Sequence, residues 1–245
     1  MSPGAGPCVI AVAARKGGVG KTTVACGLAS VLAAAGRRVL VVDLDPQSNA
    51  AYVLGVDPTL AGTAAWLTGA TPEFQVAADN LMVLAGGPEL VDRTVQRLDP
   101  HDLHAVATET AADVIVCDCP PGDEHLERLA IRAAQVALIV TDAHPLAVKG
   151  AGRVIEDLEA DRRKGHRTPA RTALVLSKVD TRRSMDRGLD AHLQETWGTL
   201  PRLTVRQDVD VAQATAAGVP IMRSAPNSRG AQDLQAIVRW INGEA

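Results

Sequence analysis

Aromatic residues are nearly missing from this chain: three Trp, one Tyr and one Phe make up 2% of 245 residues. A core without large rings must be filled by Ala, Val, Leu and Ile, which suits closely packed helix-on-sheet layers better than a β-sandwich. No apolar run approaches the roughly 20 residues that cross a bilayer, so no transmembrane helix is expected. The opening residues "MSPGAGP" carry no basic stretch followed by a long apolar one. No secretory signal is therefore expected, and a cytoplasmic location follows. Cysteine is scarce too: only Cys8, Cys26, Cys117 and Cys119 occur, with no C-x-x-C spacing and no Cys/His cluster. That argues against zinc and iron–sulfur sites and for buried, reduced thiols. Cys117 and Cys119 are two apart, so on a strand they would share one face.

A large excess of either charge is also lacking, the net value being −3. The balance hides an asymmetry, because residues 161–229 hold 13 Lys/Arg against 7 Asp/Glu and the remainder 12 against 21. A locally basic surface suits a polyanionic partner, and it equally suits an ordinary solvated face. Hydrophobic residues at 47% and charged residues at 22% fit a globular protein with one substantial core. There is no Gly/Ser-rich linker and no internal repeat. One domain over residues 8–245 is expected, behind a flexible N-terminus of residues 1–7.

Short, nearly continuous apolar runs do recur: "CVIAVAA" (8–14), "RVLVVDLD" (38–45), "LMVLAG" (81–86), "DVIVCDCP" (113–120), "VALIVTD" (136–142) and "TALVLSKVD" (172–180). Runs this uniformly apolar belong to strands covered on both faces, hence to a parallel sheet between helices. Helical spacing fills the gaps. Val24, Leu28, Val31, Leu32 and Ala35 form one stripe that Gly36 is placed to end. Residues 145–165 open with proline and close with glycine, and Leu234, Ile237, Val238 and Ile241 share a face near the C-terminus. The alternation predicts an α/β fold: a single doubly wound domain with a mostly parallel twisted sheet and helices on both faces.

The stretch "RKGGVGKTT" (15–23) follows the first of these runs. Glycines let several backbone N–H groups converge on one anion, and the following helix adds its positive N-terminal end. Gly20-Lys21-Thr22 matches the end of the G-x-x-x-x-G-K-[ST] phosphate loop, in which the lysine reaches the β/γ-phosphates and the hydroxyl binds Mg²⁺. Arg15 occupies the position of the usual first glycine, and Lys16 is an additional cation. Such a loop needs an acid at the tip of a neighbouring strand, and Asp118 ends one apolar run. In-line hydrolysis also needs a positioned water, which a carboxylate such as Asp45 at another strand tip can hold.

"KGGVGKTT" resembles the deviant phosphate loop of the ParA/MinD family of P-loop ATPases, a resemblance that covers essentially residues 8–242. It implies ATP and Mg²⁺ as cofactors and a homodimer that forms on ATP binding. Lys16 is then the signature lysine, contacting the nucleotide of the partner subunit. Gly17, Gly18, Val19, Gly20, Lys21, Thr22 and Thr23 would cradle the phosphates. "DCPPG" resembles the family's Walker B segment, with Pro120, Pro121 and Gly122 turning toward the γ-phosphate. "DLDPQSNA" resembles switch I, with Asp45 on the attacking water and Asp43 in the metal's outer shell. Lys16, Lys21, Asp45 and Asp118 carry catalysis on this reading, and Thr22, Asp45 and Asp118 attend the metal. "LVLSKVD" resembles the base-contacting turn with Ser177 in place of the more usual asparagine, and "VRQDVDVAQATAAGVPI" resembles the late loop and helix that flank adenine, so Ser177, Lys178, Arg206 and Asp208 are carried over to adenine.

Four branches of the family differ in what else they need. A membrane-docking branch needs a C-terminal amphipathic helix with a basic face, whereas this one sets Arg229 and Arg239 against Asp233 and Glu244. Electron-transfer iron proteins and metal-cluster carriers need cysteine placements that are lacking. A DNA-partition branch needs basic side chains on phosphates. Residues 161–229 supply candidates in Arg202, Arg206, Arg223 and Arg229, with Arg162, Arg163, Lys164, Arg182, Arg183 and Arg187 as a second group. The resulting expectation is a small, nucleoid-associated ParA-like ATPase that binds DNA nonspecifically, works with a ParB-like adaptor and leaves the membrane alone. The alternative is an ATPase that positions a non-DNA cargo through an ATP-switched protein interface.

Overall fold

Every one of the six apolar runs becomes a strand in the computed structural model, which describes residues 6–244. The strands are β1 (Cys8–Ala13), β2 (Val39–Asp43), β3 (Gln75–Ala78), β4 (Leu81–Leu84), β5 (Val114–Asp118), β6 (Val136–Thr141), β7 (Arg171–Val179) and β8 (Arg202–Arg206). They form one sheet in the order β3-β4-β2-β5-β1-β6-β7-β8. All neighbours run parallel except β3, which is antiparallel to β4. The two edge strands, β3 and β8, are the ones the apolar pattern does not announce. Of the expected N-terminal segment, residues 1–5 lie outside the described residues, and Gly6 and Pro7 precede β1 without regular structure.

Ten α-helices accompany the strands among the described residues: α1 (Lys21–Ala34), α2 (Asn49–Val53), α3 (Thr63–Leu67), α4 (Pro100–Thr108), α5 (Glu124–Ala133), α6 (Pro145–Arg163), α7 (Ser184–Trp197), α8 (Val209–Ala217), α9 (Ile221–Ser224) and α10 (Arg229–Asn242). Side chains alternate across each strand, so the sheet separates two cores. Ile10, Val12, Val41, Val116 and Leu138 face α1, α2 and α8 to α10. Val9, Ala11, Leu40, Ile115 and Ile139 face α3 to α7. Cys117 and Cys119 do share a face, in the second core, where burial pushes the Cys117 thiol up to about 12.

Helix ends follow the sequence signals. Gly36 takes a φ of 82° just past α1, and Gly165 one of 72° past α6. The apolar face of α10 (Leu234, Ile237, Val238, Ile241) is buried, with Leu234 packed where α1 carries Gly27. A Cβ on Gly27 would lie 2.5 Å from Leu234 Cδ1, so the bare glycine sets how closely the two helices approach. That face is taken up by the core, and no helix among the described residues is long and apolar enough to cross a membrane.

Candidate functional site

Parallel strands all end at one edge of the sheet, and the loops that leave β1, β2, β5, β6, β7 and β8 there build the site. Between β1 and α1 the chain turns through Gly18 (φ 75°) and Gly20 (φ 91°), conformations that favour glycine. A Cβ on Gly17 or Gly18 would meet nothing within 4 Å, so this stretch of backbone faces open space. Gly20 caps α1 without a side-chain hydrogen bond, and no acid stands in the first helical turn. The first N–H groups of a 14-residue helix are thus left to an anion. Gly17, Gly18, Gly20, Lys21, Thr22 and Thr23 line a cavity of about 370 Å³ with Asp45 and Pro121. Val19 points the other way, its side chain buried in the core.

Asp118 and Asp43 end adjacent strands in register, both on the α1 side of the sheet and both fully buried. Neither oxygen of Asp118 has a hydrogen-bond partner. Lys21 Nζ stands 3.8 Å from Oδ1, with the Thr22 hydroxyl also close by. Burial pushes the Asp118 carboxyl up, against the pull of the Lys21 ammonium. Two buried carboxylates beside one buried ammonium leave an excess of negative charge that a cation would relieve. The donor set therefore suits Mg²⁺ held by Thr22, by nucleotide oxygens and, through water, by Asp118. Among the described residues no group of three His, Cys, Asp or Glu could hold a metal unaided. A nucleotide must complete such a site.

Asp43 has a job that the sequence did not announce. Its carboxylate accepts the Asp45 N–H at 2.9 Å and the Ala50 N–H at 2.8 Å, so it ties down the loop between β2 and α2. Asp45 Oδ1 in turn accepts the Gln47 N–H at 2.9 Å, and Asp45 is 5% exposed at the cavity wall. Gly86, after β4, presses its backbone on this loop. A Cβ there would fall 1.9 Å from the Asp45 carbonyl oxygen. Gly86→Ala should therefore displace Asp45 and lower kcat for ATP hydrolysis by about 10-fold or more while the KM for ATP holds. Steady-state kinetics on the folded variant check this.

Opposite, in the turn after β5, Pro120 is buried, Pro121 is exposed in the cavity wall and Gly122 takes a φ of 81°. Asp123 then caps α5 by accepting the His125 and Leu126 N–H groups at 2.9 and 3.1 Å.

Toward α8 the cleft widens by about 800 Å³, walled by Tyr52, Lys178, Arg206, Asp208 and Val209. The residues assigned to adenine also serve the fold. The buried Ser177 hydroxyl has the Val19 and Thr141 carbonyls in reach, and Lys178 Nζ donates to the Gly18 carbonyl. Both bonds brace the glycine loop from behind. Lys178 holds a φ of 55°, unusual for a side-chain-bearing residue, where the β7–β8 register shifts. Arg206 is paired with Asp233 at 2.7 Å. Asp208 accepts the Asp210 and Gly230 N–H groups at 2.8 and 2.9 Å, capping α8 and joining it to α10.

The basic residues do not form one patch. Arg202 opens β8 and pairs with Asp190 at 2.6 Å, at the strand end away from the cleft. Arg206 closes the same strand. Arg162 and Arg163 end α6, and Lys164 follows at that distant pole, whereas Arg182, Arg183 and Arg187 follow β7 on the cleft side. Arg223 and Arg229 are exposed, on α9 and at the start of α10.

The two lysines of the loop part company. Lys21 is 7% exposed inside the cradle. Lys16 does not line that cavity; its ammonium lies 3.9 Å from Asp142 Oδ2, past the end of β6. Arg15 turns to the opposite face of the sheet, where its guanidinium meets Glu124 (2.9 Å), Glu127 (3.2 Å) and Asp157.

Known proteins match this arrangement. Residues 8–167 fit the AAA domain family. The chromosome-partitioning ATPase Soj of Thermus thermophilus is 34% identical over 225 residues, spanning 91% of this chain and 90% of that protein. The septum site-determining protein MinD of Pyrococcus horikoshii, solved with Mg-ADP, superposes with a TM-score of 0.76 at 26% identity, over 98% of this chain and 99% of that one. McdA of Cyanothece, solved with ATP, gives a TM-score of 0.81 over 99% and 98% of the two chains, a likeness of fold at 19% identity.

Proposed function

Because the chain belongs to the ParA/MinD family of P-loop ATPases, which hydrolyse ATP with Mg²⁺, we propose that it works as a DNA-partition ATPase that closes into an ATP-sandwiched dimer. The observation that carries the reading is the separation of the loop's lysines, Lys21 in its own cradle and Lys16 outside it. A cation beside the cradle but not in it is placed for a second copy's nucleotide. Bound Mg²⁺ supplies charge neutralisation across the phosphates. Lys21 and the N–H groups of residues 17 to 23 hold the phosphates, Asp45 orients the attacking water, and Lys16 adds charge from the partner side. The dimer binds DNA nonspecifically and localises to the nucleoid, hydrolysis releases it, and a ParB-like adaptor speeds that step. Similarity to a chromosome-partitioning ATPase over nine-tenths of the chain supports the DNA reading.

Binding to unrelated duplex DNA tests it. Binding should need Mg-ATP rather than Mg-ADP and should weaken steeply with salt. Arg223 and Arg229 are exposed, while Arg202 and Arg206 are engaged by Asp190 and Asp233. The double variant Arg223→Ala/Arg229→Ala should therefore flatten the plot of log K against log[salt] by about 2, with Arg202→Ala unchanged. The division of the basic residues between two poles favours a second reading, an ATP-switched interface for a non-DNA cargo. No DNA binding at low salt would select it.

A further inference from the structure

We propose that Arg15 is the positioning residue that keeps Lys16 out of its own phosphate cradle and presents it to a partner, by clamping the start of the loop onto α5 and α6. The inference rests on the reading of Lys16 as the lysine donated across the dimer. It begins with strand alternation. Ala13 faces the second core and Ala14 the first, so the next residue, Arg15, returns to the α5–α6 side. There its guanidinium reaches Glu124 and Glu127 on α5 and Asp157 on α6, and it is only 15% exposed. A planar fork with several fixed donors is the one side chain that engages three carboxylates on two helices at once.

A separate feature points the same way. α6 carries Gly150 where the loop passes, and a Cβ there would lie 3.5 Å from Arg15 Cβ and 3.7 Å from the Lys16 nitrogen. The backbone at residues 15 and 16 is thus seated against α6. The clamp also has something to hold against. Glu127 is 4% exposed and one of its oxygens has no hydrogen-bond partner, so its charge depends on Arg15. With residue 15 fixed to one face of the sheet and Lys21 buried on the other, Lys16 leaves the loop away from the cradle and comes to rest beside Asp142.

The test uses the full chain, with Arg15→Gln/Glu127→Gln as the main variant, because the neutral pair keeps a hydrogen bond without stranding a buried charge. Arg15→Ala is the harsher companion, and circular dichroism confirms folding of both. Fluorescent-ATP binding should stay within about 2-fold of wild type, while single-turnover hydrolysis falls by about 10-fold or more, since a reacting group is misplaced rather than removed. In a Lys16→Ala background the same changes should cost nothing further. Equal losses in both backgrounds, weaker ATP binding alone, or an unchanged rate would each overturn the inference, leaving Arg15 as a fold anchor only. A Lys16→Ala protein that hydrolyses at the wild-type rate would overturn the dimer reading and this inference together. A normal Lys16→Ala defect beside an unaffected Arg15 variant would overturn this inference alone.

Discussion

A Lys16→Ala protein should bind ATP within about 3-fold of wild type yet hydrolyse it some 10²–10³-fold more slowly. The two effects should separate because Lys16 does not line its own cradle. Lys21, Thr22 and the N–H groups at the start of α1, the proposed phosphate contacts, are all retained in this variant. On the proposed function, what would be lost is a fixed positive charge near oxygens that gain charge as the bond to the γ-phosphate breaks. Such a charge matters most when two subunits exclude water around it. Rapid quench on ATP bound at saturating Mg²⁺ reads the chemical step, and a titration with a fluorescent analogue reads affinity. A variant that lost both in equal measure would place Lys16 on its own nucleotide instead.

Asp45→Ala should also hydrolyse slowly, and it should leave an ATP-bound dimer that persists. A positioned carboxylate on the attacking water is worth about 10²–10⁴-fold in rate, and its removal should leave Lys16, Lys21 and the glycine loop in place to hold the proposed sandwich. Light scattering should find a dimer with Mg-ATP that outlasts the wild-type one, and DNA retention should outlast it too. Asp45 also accepts the Gln47 N–H, so the alanine could loosen its loop. Asp45→Asn keeps that acceptor and loses the charge. If the asparagine variant hydrolysed at the wild-type rate, Asp45 would be a turn former only.

Most of the sheet could be read from the chain because burial on both faces leaves an uninterrupted apolar signature. β3 and β8 escaped for the converse reason. They are edge strands of four and five residues, half exposed, and β8 begins and ends with arginine. Within the site, residues at the ends of apolar runs are legible in position: the glycine loop with Lys16 and Lys21, Asp45 and Asp118 each lie at or just past a strand end. Contacts made across the fold are not. Arg15 meets acids 109 to 142 positions away, and Ser177 lies 158 residues from the carbonyl it braces. The charge asymmetry is visible as a count, whereas its distribution over the surface is not. A segment that crosses the sheet along β7 and β8 deposits its arginines at both poles.

The ties from Ser177 and Lys178 to the Val19 and Gly18 carbonyls run between protein groups only. The socket for the phosphates is consequently moulded by the polypeptide, and little ordering is left for a nucleotide to bring about on arrival. On the function proposed above, such a socket would grip the shared α- and β-phosphates of a spent and a fresh nucleotide alike. Telling one from the other would then rest on the groups at the third phosphate, and with Lys16 among them the proposed dimer would place part of the timing of the cycle at the seam between two copies.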